Sequence, residues 1–123
     1  MRKIFAMLFG ALLSTVAMAQ SGNFKSVGNA EFAKQIADGK TQVVDVRTAA
    51  EYKEGHIPGA VNMDVRQSDF DARTKLLDKE RPVAVYCRSG ARSKTAARKL
   101  ADAGFQVIDL DKGITNWDGP VKK

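Results

Sequence analysis

Two short runs constrain this chain more than any other feature. Gln42 to Val46 (QVVDV) and Val83 to Tyr86 (VAVY) are β-branched and almost continuously apolar. A strand without polar alternation has both faces covered, as in a parallel sheet flanked by helices. Segments of helical spacing lie around these runs. Asn29 is placed to cap a helix carrying Phe32, Ala33, Ile36 and Ala37, with Gly39 as its stop. Thr48-Ala49-Ala50-Glu51 fits a capping box for a short helix ending at Gly55. Phe70, Leu76 and Leu77 predict a helix over 69–79, and Ser93 to Ala103 one that buries Ala96, Ala97 and Leu100 and stops at Gly104. Ala60 to Met63 and Phe105 to Leu110 read as further strands, and Ile114 to Trp117 as a terminal turn or short helix. Strands alternating with helices predict an α/β fold on a parallel sheet.

At 123 residues the chain holds one small domain. Its start reads as a processing segment. Arg2 and Lys3 precede the apolar stretch Ile4 to Val16, and Ala17-Met18-Ala19 gives the small-x-small pattern that a signal peptidase reads before Gln20. The stretch falls short of the roughly 20 residues that span a bilayer. Residues 1–19 are therefore expected to be a cleaved signal peptide, leaving no stable membrane anchor and placing the mature chain in the periplasm. Residues 20–28 read as a polar lead-in and 29–120 as the domain. The leader holds two of the 20 Lys and Arg and none of the 14 Asp and Glu, so the mature charge is 18 − 14 = +4. Such an excess does not point to nucleic acid, and no aromatic-basic stripe accompanies it.

Cysteine and histidine occur once each. A lone Cys forms no internal disulfide, and one Cys with one His does not fill a four-ligand zinc cage. No elbow-type serine motif accompanies His56. Attention falls on the thiol. Cys87-Arg88-Ser89-Gly90-Ala91-Arg92-Ser93 lies between the run ending at Tyr86 and the helix expected from Ser93. Ligands of open α/β sheets bind at the carboxyl ends of strands, where such loops lie. A loop curling into a helix N-terminus aims backbone N–H groups at its centre. A Cys placed there is favoured as thiolate by those groups, by the helix dipole and by Arg88 and Arg92. Small residues at Ser89, Gly90 and Ala91 let the loop curl, and Lys94 and Arg98, one turn apart, would extend a positive mouth.

These residues carry a family resemblance. Asp45-Val46-Arg47, Glu51-Tyr52 and Gly55-His56-Ile57-Pro58-Gly59-Ala60-Val61-Asn62 resemble the first signature of the rhodanese-like domain. Cys87 to Ser93 resembles its active-site loop, and Gly113 to Trp117 the end of its C-terminal signature, with Lys112 where a second Gly often stands. The layout is similar to the exported single-domain thiosulfate sulfurtransferases of the phage shock protein E type. The resemblance implies a three-layer fold with a central, mainly parallel five-stranded sheet. It also implies that Cys87 takes the outer sulfur of thiosulfate, or of another sulfane-sulfur donor, as a persulfide. Cyanide or a thiol then removes that sulfur. The loop residues Arg88, Ser89, Gly90, Ala91, Arg92 and Ser93 would bind substrate. Asp45, Arg47, Glu51 and His56 would be structural supports, the Arg pairing with an acid such as Glu51 and the Asp bracing the loops. No metal or organic cofactor is called for.

Attack on sulfur by a preformed thiolate needs no separate general base, which suits a chain with one His. Two rival readings stand beside this one. A phosphatase or arsenate reductase would typically place its Arg at Cys-x5-Arg, whereas Arg92 makes Cys-x4-Arg, a shorter ring. A sulfur-carrier or partner-binding module would keep Cys87 without turnover of its own.

Overall fold

The computed structural model describes residues 23–123. The expected leader and its cleavage site at Ala19 lie outside the described residues. Five strands, β1 (Lys25–Val27), β2 (Gln42–Asp45), β3 (Val61–Asn62), β4 (Val83–Tyr86) and β5 (Val107–Leu110), form one sheet in the order β1-β5-β4-β2-β3. Every pairing in it is parallel. Among the described residues the helices are α1 (Asn29–Ile36), α2 (Ala49–Glu54), α3 (Phe70–Thr74) and α4 (Ala91–Asp102), and a 3-10 turn follows at Ile114–Asn116.

The apolar runs supply two cores because successive strand side chains point to opposite faces. Val44, Val83 and Val85 face α3 and α4 with Phe70, Ala96, Ala97 and Leu100. Val43, Ala84 and Tyr86 face the other side with Phe32 of α1, Ile57 and Leu110. The middle strand β4 is buried at every residue, as its VAVY sequence requires. Its carboxyl end is therefore held from both sides, and the Cys87 loop starts there.

Several boundaries differ from expectation, each for a physical reason. Helix α1 is capped by Gly28 rather than Asn29, whose side chain instead donates to the Asn116 carbonyl at 2.7 Å. That bond ties α1 to the C-terminal turn. The helix expected over 69–79 is only α3; Leu76 lies exposed and only Leu77 packs against the core. Helix α4 begins two residues early, at Ala91, so the loop's own residues are already helical. The stretch 20–28 contains β1, a polar edge strand that pairs with β5 and buries only Val27. Near the C-terminus, the backbone of Lys122 pairs with that of His56.

Candidate active site

Cys87 follows directly on β4 and is buried. Its sulfur accepts the Gly90 N–H at 3.1 Å, which closes the loop into a tight ring at the start of α4. Two glycines make the ring possible. Gly90 has φ +108, and a Cβ there would stand 2.1 Å from the Asp111 carbonyl oxygen. Gly113 has φ +73, and its Cβ would stand 2.2 Å from the Arg88 carbonyl oxygen. Other residues avoid such positive φ values, so both positions require glycine. The 3-10 turn holds the ring from outside, with Ile114 N–H donating to the Cys87 carbonyl at 2.9 Å and Thr115 N–H to that of Arg88 at 3.1 Å. These bonds turn the loop carbonyls outward, away from the ring centre.

Arg92 does not stand free over the ring. Its guanidinium makes a two-pronged pair with Glu51, at 2.8 and 3.0 Å. Glu51 is also the closing residue of the Thr48 capping box, which forms as the sequence predicts. The Arg92 hydrogen bonds hold the Glu51 carboxyl well below the usual carboxylate range, assisted by the Thr48 N–H. The same pairing raises Arg92 further. Arg88 lies 3.6 Å from Glu51 with its side chain 65% exposed, and it is the arginine left at the mouth.

Arg47 pairs with Asp45, not with Glu51. Residues i and i+2 at a strand end lie on one side, and the guanidinium reaches the Asp45 carboxylate at 2.6 Å and the Gly55 carbonyl at 2.7 Å. The pair thus clamps the end of β2 to the end of α2, the helix that presents Glu51 to Arg92. Burial opposes the Arg47 charge, but the bond to Asp45 and the charges of Asp45, Tyr86 and Glu51 together raise the group. Burial, with the Asp45 charge, pushes the neighbouring Tyr86 phenol far up, keeping it a neutral acceptor for the Ile57 N–H. His56 stacks on Tyr52 with ring centroids 3.8 Å apart and bonds the Tyr52 carbonyl through Nδ1. It makes no contact with the Cys87 loop among these bonds, and holds the turn after α2.

Lys94 and Arg98 do not extend the mouth. Lys94 turns inward to Asp109 and Asp111, each at 3.0 Å, and to the Gly90 and Asp111 carbonyls. Burial works against its charge, yet these partners raise it overall. Arg98 lies over the Phe24 ring. Ser93 is fully buried beside Cys87, with their Oγ and Sγ 3.6 Å apart, and its hydroxyl donates to the buried Asp109 carboxylate. Asp109 and Ser26, which binds the carboxylate's other oxygen at 2.8 Å, escaped the sequence reading. A signal for Asp109 was present: one carboxylate inside an otherwise apolar strand.

The rhodanese-like domain model matches residues 28–119. The chain belongs to the rhodanese-like domain family. It is 33% identical over 99 residues to a Bacillus subtilis protein named "Putative sulfurtransferase YtwF", covering 80% of this chain and 94% of that one. It is also 33% identical to "Putative sulfur carrier protein YrkF" of the same species, over 70% of this chain but only 46% of that longer protein. A rhodanese-related protein from Thermoplasma volcanium shares the fold with a TM-score of 0.72 at 28% identity, over 80% of this chain and 98% of that one. The structure named "rhodanese with anions from E. coli" superposes with a TM-score of 0.57 at 28% identity, over 68% of this chain and 98% of that one. The chain is thus a rhodanese-like member of a family of sulfurtransferases and sulfur carriers.

Proposed function

We propose that this rhodanese-like protein is a thiosulfate sulfurtransferase that works through a Cys87 persulfide. The observation that carries the reading is the Cys87 sulfur at the carboxyl end of the central strand, held in a Cys-x4-Arg ring by the Gly90 N–H. Cys87 as thiolate attacks the outer sulfur of thiosulfate. A new S–S bond forms, the old one breaks, and sulfite leaves with the electron pair. The start of α4 favours the dianionic donor and the anionic persulfide in turn. Arg88 supplies an exposed positive charge at the mouth, while Gly90, Ala91 and Ser89 keep the ring narrow. A thiophilic acceptor, cyanide in an assay or a thiol in the cell, then takes the sulfur and returns Cys87 as thiolate.

The test is transfer of sulfur from thiosulfate to cyanide by the purified mature chain. Turnover is expected, and Cys87→Ser should abolish it; turnover surviving in Cys87→Ser would overturn the mechanism. A carrier role is favoured by the likeness to the protein named as a sulfur carrier. It predicts loading by thiosulfate without rapid unloading to small acceptors. Phosphate chemistry is disfavoured by the geometry, because Arg92 is held by Glu51 rather than offered to an oxyanion.

We place the protein in the periplasm on the pattern of residues 1–19, in keeping with the phage shock protein E type. N-terminal sequencing of the exported protein should begin at Gln20. A chain beginning at Met1 would remove that placement without touching the chemistry.

A further inference from the structure

The Ser93 hydroxyl has one proton and three neighbours that could take it. They are the Asp109 carboxylate, the Gly90 carbonyl at 3.2 Å and the Cys87 sulfur at 3.6 Å. Asp109 is the nearest and carries the charge, so it holds the proton, because hydrogen bonds to ionised acceptors are shorter and stronger. Ser26 at 2.8 Å and Lys94 at 3.0 Å secure the carboxylate's other oxygen, and Ser93 and Asp109 themselves are fully buried. What Ser93 presents to Cys87 is therefore an oxygen lone pair, to which the thiol S–H donates.

We propose that Asp109, acting through Ser93, is a positioning residue for sulfur transfer: it turns the Ser93 hydroxyl away from Cys87, so that the sulfur anion is denied a donor. This rests on the reading of Cys87 as the sulfur acceptor. The thiolate and the persulfide keep the Gly90 N–H but gain nothing from Ser93. A less stabilised thiolate is the stronger nucleophile. In the release step the acceptor's bond to the outer sulfur forms, the S–S bond breaks, and Cys87 leaves with the electron pair; a leaving thiolate denied a donor departs more slowly. The arrangement favours the loading step over the release step. Other charges near the sulfur are Arg92 and Arg88 of its own loop, the Glu51 of α2 that pairs with them, Asp64 following β3, and Lys94 and Asp111. Each is left in place by the substitutions below.

The experiment is the rate of Cys87 alkylation by iodoacetamide against pH, in the wild type, Ser93→Ala, Asp109→Asn and the double variant, with thermal melts to confirm folding. Each single substitution should lower the half-maximal pH by about half to one unit, the size of one hydrogen bond. The double variant should shift no further than the singles, because Asp109 acts only through Ser93. A raised half-maximal pH in Ser93→Ala would show that the hydroxyl donates to the sulfur, and an unchanged one that it does neither; both overturn the proposal. Ser93→Ala decides this sign alone should Asp109→Asn fail to fold. Pre-loaded Asp109→Asn should also release its sulfur to cyanide several-fold faster, because the freed Ser93 hydroxyl can donate to the departing Cys87 thiolate. Alkylation needs no sulfur transfer, so a shifted profile in a protein without transfer activity would count against the proposed function and not against the relay.

Discussion

Glu51 joins two parts of the site that are 41 residues apart in sequence, and its removal should be felt in both. One oxygen accepts from the Thr48 N–H at 3.1 Å to complete the α2 cap, and both oxygens accept from Arg92. Losing a cap interaction costs about 1 kcal/mol. A hydrogen bond to a charged group contributes about 1.5–3 kcal/mol, and partial exposure at the mouth keeps this pair toward the lower figure. Glu51→Ala should therefore destabilise by about 2–4 kcal/mol, or roughly 10–25 °C in melting temperature for a domain of this size. Glu51→Gln keeps an acceptor for Thr48 and one for Arg92, and should lose about 1 kcal/mol. The assay is thermal or urea unfolding of Glu51→Ala, Arg92→Ala and the double variant. The double variant should be less destabilised than the singles predict together, by about 1 kcal/mol or more. Strict additivity would refute the reasoning, since it would mean that the pair does not hold the loop to α2.

Three further outcomes follow from the same geometry. The Glu51 carboxyl is depressed in the folded protein, so the unfolded chain takes up that proton more readily. The stability it contributes is present above about pH 4.5 and is lost as pH falls through its lower folded value. Melting temperature should drop more steeply below that pH in the wild type than in Glu51→Gln, and parallel curves would contradict the assignment. Gly113→Ala should destabilise by about 1–3 kcal/mol and lower sulfur transfer at least tenfold, because its Cβ would push the Arg88 carbonyl and open the ring; wild-type activity with an unchanged melt would exclude that close approach. Arg88→Ala should raise the KM for thiosulfate several-fold with little change in melting temperature, while Arg92→Ala should lower the melting temperature. The reverse pattern would assign the mouth charge to Arg92.

The sheet was legible because β2 and β4 are short apolar runs with no other stable home, and the Cys87 loop because its thiol stands among small and basic residues at a strand end. β1 was not, since an edge strand of Lys25, Ser26 and Val27 buries only one side chain and has no apolar pattern to show. The resemblance pointed to a five-stranded sheet, whereas composition along the chain suggested four strands. Side-chain pairing was the least legible level. Glu51 and Arg92, or Ser93 and Asp109, meet only after the parallel strands are in register. Sequence distance alone did not favour Arg92 over Arg47 as the partner of Glu51. Likewise Lys94 reads as a surface cation until Asp109 and Asp111 are brought beside it.

The most direct measurement is the intact mass of the mature protein after exposure to thiosulfate alone, followed by cyanide. A persulfide mechanism requires a gain of one sulfur atom on Cys87, absent in Cys87→Ser, and return to the starting mass with thiocyanate formed. No gain in mass, or a gain that persists in Cys87→Ser, would contradict it.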